Sequence, residues 1–406
     1  MPSRISRIAS AAIWLGVGAY VGLCRPALAD EPKEAKPDIK IGNTAPYSGA
    51  GSAYSLIART YAAYVKKIND GGGINGRKIN FISYDDAYSP PKAVEQVRRL
   101  VESDEVLFIF GQVATAGAAA TQKYLNAKHV PQLFVGSPSA RFGNPDAFPW
   151  TTGFQPSIRT EARIYVAHLL QQKPDARIAI LYQNDDFGKD YRSALIEALG
   201  EKAKSMVVGE SSYDVTEPTI DAHVVKLKAT GADTFFDVAT PKFTAQAIKR
   251  SAELDWKPLH FVFSGSSSIV HVLEPAGLKN SEGLISAVYL KDLSDQRWKE
   301  DVGVTRYRKF MKDYMPNEND KDLMFAYGYT QFQILEAVLQ KAGDDPSREA
   351  IMGLMKSLDK VKGDLLIDGI TASTSEKNLF PLSQLQIVKF DGTTWQPLGA
   401  VMSEAP

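Results

Sequence analysis

Five histidines, at 129, 168, 223, 260 and 271, are the first residues of this chain to test for metal or acid–base chemistry. None stands at the short spacing from a second ligand that metal sites use, and His168 and His223 fall inside helical patterns, so no metal site is predicted. Two carboxylate pairs, Asp85-Asp86 and Asp185-Asp186, each follow a strand-like run and precede a helical one. Adjacent residues leaving a strand point in different directions, so these pairs read as helix caps and loop anchors rather than as an acid and a base facing one substrate. Ser264-Gly265-Ser266-Ser267-Ser268 lacks the Gly-x-Ser-x-Gly elbow of a hydrolase, and the glycine triplet 71–73 lacks the Gly-Lys-Ser/Thr ending of a phosphate loop. No catalytic constellation is left, so the expectation is a protein that is not an enzyme and needs no cofactor.

What remains is a set of hydroxyl residues at the ends of strand-like runs: Ser48, Thr115, Ser137, Ser139, Thr240 and Ser264, with Tyr54 and Phe187 as aromatic walls. Read together they line a cleft suited to a small ligand with an anionic head and an apolar body. Read apart they only make turns, and spacing alone leaves both readings open.

The elements that would position them are regular. Val106-Leu-Phe-Ile-Phe110 is a continuous apolar run that ends at Gly111 and passes into small helix-forming residues. This predicts a buried parallel strand turning into a helix, with Thr115 at the N-cap position beyond the strand's carboxyl end, where open α/β sheets hold ligands. Helix N-termini there favour anions. Around it the pattern runs strand 39–44, helix 55–69, strand 78–84, helix 90–102 with Val94, Val97, Leu100 and Val101 toward the core, and strand 132–135. A second unit repeats the alternation from helix 158–171 to strand 259–263. Helices near 302–314, 322–341 and 347–357, and hairpin-like strands near 365–371 and 384–390, are too few for a third unit, so they are expected to complete the first two. The fold class is α/β, two doubly wound parallel-sheet lobes joined by a multi-strand hinge. Lobe 1 takes 38–155 and 286–363; lobe 2 takes 156–285 and 364–406.

The chain of 406 residues, 44% hydrophobic, can bury a large core, and 47 Lys+Arg against 47 Asp+Glu leave no electrostatic footprint for nucleic acid. Arg4 and Arg7, the apolar segment from Ala9 to Leu23, and Ala27-Leu28-Ala29 before Asp30 form a secretory signal over 1–29. An uncleaved anchor is the alternative; the glycine-interrupted, short run argues against it. Cys24 is the only cysteine, preceded by a bulky leucine where lipid attachment needs a small residue, so the exported chain is expected to carry neither disulfide nor thiol nucleophile.

These residues resemble a known family, the type I periplasmic solute-binding proteins of ABC importers and in particular the leucine/isoleucine/valine-binding group. The resemblance rests on Ile39-Lys40-Ile41-Gly42 with Ser48-Gly49, on Ile68-Asn69-Asp70-Gly71-Gly72-Gly73-Ile74-Asn75-Gly76, on Tyr84-Asp85-Asp86, on Arg177-Ile178-Ala179-Ile180 and on Asp186-Phe187-Gly188. It implies two lobes that close over a ligand. Carboxylate-holding hydroxyls would fall on Thr115 and Ser139, an amine-facing carbonyl on Ser137 beside Gly136, and aromatic walls on Tyr54 and Phe187. Thr240-Pro241 stands where the group has a tyrosine, and Ser264-Gly265-Ser266-Ser267 where it has the glutamate that holds an ammonium. The disulfide of the family is missing too, with Tyr88 and Ala114 at its two positions. A buried ammonium without a carboxylate is costly, so the expected ligand widens from amino acids to aromatic or branched acids without an amine. Were an amino acid bound, Asp237 is the candidate to replace the glutamate.

The expectation is a monomeric periplasmic binding protein that passes its ligand to an ABC permease of the inner membrane. A ligand-sensing module of a regulatory system on the same fold is the alternative. An exported hydrolase, with Ser266 as nucleophile, is a third class for which no base is found.

Overall fold

A computed structural model describes residues 11–13, 36–344 and 346–403. The predicted leader, Cys24 included, otherwise lies outside the described residues.

The first sheet is built from β1 (Ile39–Ala45), α1 (Ser55–Asp70), β2 (Ile79–Asp85), α2 (Pro90–Glu102), β3 (Phe108–Phe110), α3 (Thr115–Ala127), β4 (Gln132–Val135) and the short β5 (Thr151–Gly153). Its five strands run parallel in the order β2-β1-β3-β4-β5. Every side chain of Phe108-Ile109-Phe110 is buried, as a strand covered by helices on both faces requires. Two prolines open α2, where their missing N–H groups are no loss. Its buried face is Ala93, Val97 and Leu100, one position round from the predicted one, so that Val94 and Val101 are only half-buried.

The second sheet follows α4 (Ile158–Gln172) with β6 (Ile178–Gln183), α5 (Asp186–Leu199), β7 (Val207–Tyr213), α6 (Asp221–Ala229), β8 (Thr234–Val238), α7 (Pro241–Glu253), β9 (Leu259–Val262) and β10 (Ile285–Val288). After α8 (Val302–Tyr314), α9 (Leu323–Ala342) and α10 (Arg348–Met355), β11 (Gln384–Phe390) and β12 (Trp395–Pro397) return to it. The order is β12-β11-β10-β9-β8-β6-β7, with β11 antiparallel to both of its neighbours along that path. The predicted strand near 365–371 is not one; that segment makes a single isolated bridge, Leu366 with Leu290, and a second, Val361 with Ala372, flanks it.

The late helices go back to the first sheet. Tyr64 of α1 donates to Glu336 of α9 at 2.7 Å, Tyr61 to Gln331, and the ring of Phe332 packs against both tyrosines. Gly328 lets α9 approach so closely that a Cβ there would meet the Ile57 carbonyl at 2.9 Å. Farther along, Phe380 wedges into the rim of the first sheet, where a Cβ on Gly143 or Gly153 would overlap its ring. The chain therefore passes between sheets three times, after β5, after β10 and before β11, which is the multi-strand hinge of a two-lobed α/β fold.

Candidate ligand-binding site

The carboxyl ends of β1, β3 and β4 face those of β8 and β9, and the loops beyond them enclose one cavity. Tyr54, Thr115, Gly136, Ser137, Phe187, Thr240 and Ser264 all line it. The space open to the centres of water-sized molecules is about 80 Å³. At ~10–15 Å³ each that is on the order of six waters, room for one ring or a short branched chain.

Ser139 departs from the expectation. Its hydroxyl donates to Asp190 of α5, so it sits in the seam between the lobes and does not line the cavity. Ser48 is likewise spent elsewhere: its backbone N–H and hydroxyl both donate to Asp85.

The anion end is set by backbone geometry. Gly111 turns the chain at φ 63, where a Cβ would overlap the Tyr61 hydroxyl. The N-cap of α3 is Ala114 and not the predicted Thr115; Ala114 is held at φ 86, and no side chain covers the first N–H groups of the helix. A non-glycine residue in that region is strained, and the strain leaves donors and the positive end of the helix dipole free at the cavity wall. Thr115, freed from capping, lies 2.7 Å from Ser137 Oγ. One hydroxyl donates to the other, and the second proton of the pair remains for a ligand.

The apolar walls include two residues that family position assigned to a missing disulfide. Tyr88 and Ala114 both line the cavity. Ala87 and Tyr88 are consecutive left-handed residues, at φ 50 and 60. Asp85 accepts from the Ala87 N–H and Asp86 from the Tyr88 N–H, each at 2.9 Å, so the first acidic pair anchors a loop as expected. Burial pushes the Asp86 carboxyl up to about 6. Tyr88 then stacks on Tyr54 with ring centres 6.4 Å apart, over Gly51, where any Cβ would strike its ring. In the second pair, Asp185 caps α5 through the Gly188 N–H.

On the second lobe Phe187 packs against Phe263 at 4.9 Å. Glu161 of α4 is buried directly behind Ser264, accepting its N–H at 3.0 Å, its hydroxyl, and the Tyr191 hydroxyl at 2.7 Å. Burial raises its carboxyl above the ordinary range against the pull of those hydrogen bonds. Asp237 is not at the cavity: it is fully buried with Oδ2 3.5 Å from His260 Nε2. Ser266 donates to the Ala239 carbonyl, which cannot serve as a base.

The profile of the periplasmic binding protein family matches residues 38–393. The chain belongs to that family. A Leu/Ile/Val-binding protein homolog 7 of Brucella abortus (strain 2308) is 24% identical over 358 residues, covering 84% of this chain and 82% of the relative. Among solved structures, a solute-binding protein of an ABC transporter from Rhodopseudomonas palustris BisB5, in complex with 3,4-dihydroxybenzoic acid, superposes with a TM-score of 0.76 at 18% identity, covering 91% of this chain and 98% of that one. A second R. palustris solute-binding protein, in complex with benzoate, gives 0.75 at 17% identity over 90% and 98%. The protein is thus a solute-binding protein of the periplasmic binding protein family, similar to the Leu/Ile/Val-binding homologs, and no described helix is long and apolar enough to cross a membrane.

In this binding protein the sequence reading missed Tyr88, Phe263, Gln155, Tyr289 and Tyr327, all of which line the cavity. Tyr327 donates to Gln155 at 2.6 Å, closing the wall from α9. Tyr88 had a local signal, the loop after Tyr84-Asp85-Asp86. Tyr289 and Tyr327 had none, because only the return of the chain brings them there.

Proposed function

We propose that this binding protein captures an amine-free aromatic carboxylate between its lobes and delivers it, as a monomer, to an ABC permease. The observation that carries the reading is the wall itself. Tyr54, Tyr88, Phe187, Phe263, Tyr289 and Tyr327 surround the cavity, and among the described residues no Asp, Glu, Lys, Arg or His lines it. A carboxylate finds the bare N-terminus of α3 with Thr115 and Ser137, while an ammonium would lack a charged partner in contact. The benzoate and dihydroxybenzoate held by the two structural neighbours support this class.

The moving bodies are read as 38–155 with the helices of 286–363, and 156–285 with the C-terminal strands. β10 and Phe380 lie across those seams, β10 in the second sheet and Phe380 against the first.

An α-amino acid is the second reading, favoured by the name of the Brucella relative and by the carboxylate of Glu161 behind Ser264. Calorimetric titration of the chain beginning at Asp30 separates the two. Benzoates are expected to bind and raise the melting temperature; binding of leucine or phenylalanine with no response to any benzoate would reverse the assignment.

A further inference from the structure

The hydroxyl groups of the cavity are not equivalent. Thr240 Oγ1 donates to Gln183 Oε1 at 3.2 Å, Ser264 Oγ donates to Glu161, and Ser267 Oγ donates to the Ser264 carbonyl at 2.7 Å. A hydroxyl has one proton and two lone pairs. Each of these three side chains has committed its proton to the protein, so toward the cavity it can only accept. The first-lobe wall is the reverse, with uncapped N–H groups of α3 and a spare proton on the Thr115–Ser137 pair. A ligand lying across the cavity therefore meets donors at one end and acceptors at the other.

We propose that the acceptor wall selects, among aromatic carboxylates, those whose ring carries a hydroxyl group that donates to Ser264 Oγ, with Glu161 as the positioning residue that keeps Ser264 an acceptor. This rests on the aromatic-acid reading above. An unsubstituted ring presents C–H to that wall and leaves its oxygens without a partner. An ammonium would donate, but it would meet neutral oxygens only. The two oxygens of Glu161 already accept from the Ser264 N–H, the Ser264 hydroxyl and Tyr191, and Glu161 does not line the cavity.

The test is calorimetric titration of benzoate, 3- and 4-hydroxybenzoate, 4-methoxybenzoate and phenylalanine into the wild type, Ser264→Ala and Glu161→Gln. A hydroxybenzoate is expected to bind about tenfold tighter than benzoate, the scale of one net hydrogen bond, and the methoxy analogue to lose that gain. Ser264→Ala should erase the preference, so that benzoate, the hydroxybenzoates and 4-methoxybenzoate bind alike. Glu161→Gln keeps the volume but offers Ser264 an amide donor; its hydroxyl proton then turns to the cavity, and the hydroxy-to-methoxy ratio should fall or invert. A merely structural role for Glu161 would weaken all the acids alike and leave that ratio untouched. Benzoate binding as tightly as both hydroxybenzoates, or a preference that survives in both variants, overturns the inference and leaves the aromatic-acid reading standing. Binding of phenylalanine alone overturns both.

Discussion

Thr115 is the residue at which the anion end is most directly tested. It is buried, its hydroxyl touches Ser137, and it opens a helix that nothing caps. Replacing it with valine keeps the shape and removes one charge-assisted hydrogen bond, worth about 1.5–3 kcal/mol, so carboxylate affinity should fall by roughly 10- to 100-fold. Titration of Thr115→Val with the preferred acid measures this; an unchanged dissociation constant would move the anion elsewhere. At this scale the sequence was legible wherever chemistry and strand ends coincided. Tyr54, Thr115, Ser137, Phe187, Thr240 and Ser264 follow strand ends or open helices, and they converge. Ser139 failed because a single residue along a loop turns a hydroxyl from the cavity to Asp190. Glu161 was invisible because nothing in its helical context marks a carboxylate that a serine four strands later will meet.

The elements were legible in proportion to how local their causes are. α2 and α8 match their predicted spans, 90–102 and 302–314, because prolines open the one and Asp301 caps the other. α5 begins at Asp186 because Asp185 is its cap. The segment near 365–371 misled because an apolar run was read as a strand, whereas Leu365, Leu366, Ile367 and Ile370 are buried in the core without ladder pairing beyond the bridge to Leu290. Phe380 belongs to no regular element, yet it joins the C-terminal segment to the first sheet and is 5% exposed. Truncation to alanine leaves a void between Gly143 and Gly153 and should cost ~3–5 kcal/mol. Chemical denaturation of Phe380→Ala checks this, and a loss below about 1 kcal/mol would mean that the rim closes without it.

Across the molecule, the lobes are tied by charge as well as by chain. His271, after β9 of the second sheet, forms an ion pair with Asp322, the cap of α9, which packs on the first sheet through α1, and the Asp322 carboxylate also accepts the Met324 N–H. The hydrogen bond to Asp322 raises the His271 imidazole above its ordinary value, against the effect of burial, and Glu274 and Glu318 add to the rise. A histidine whose folded value is raised contributes stability that is whole below about 6.5 and fades as pH climbs through the folded value. The melting-temperature gap between wild type and His271→Gln should therefore be widest near pH 6 and shrink toward pH 9. A gap that is constant with pH would assign the contact a packing role only. A different consequence follows from the return of α9 and Phe380 to the first sheet. A ribosome spells out β1 to β5 early, but α9, which packs on α1 over that sheet, and the ring that seals its rim come only after the whole run from α4 to β10 has been made. Until then the first sheet lacks that helix and that ring. The first sheet thus completes its packing through contacts of high sequence separation, which close late and fold slowly.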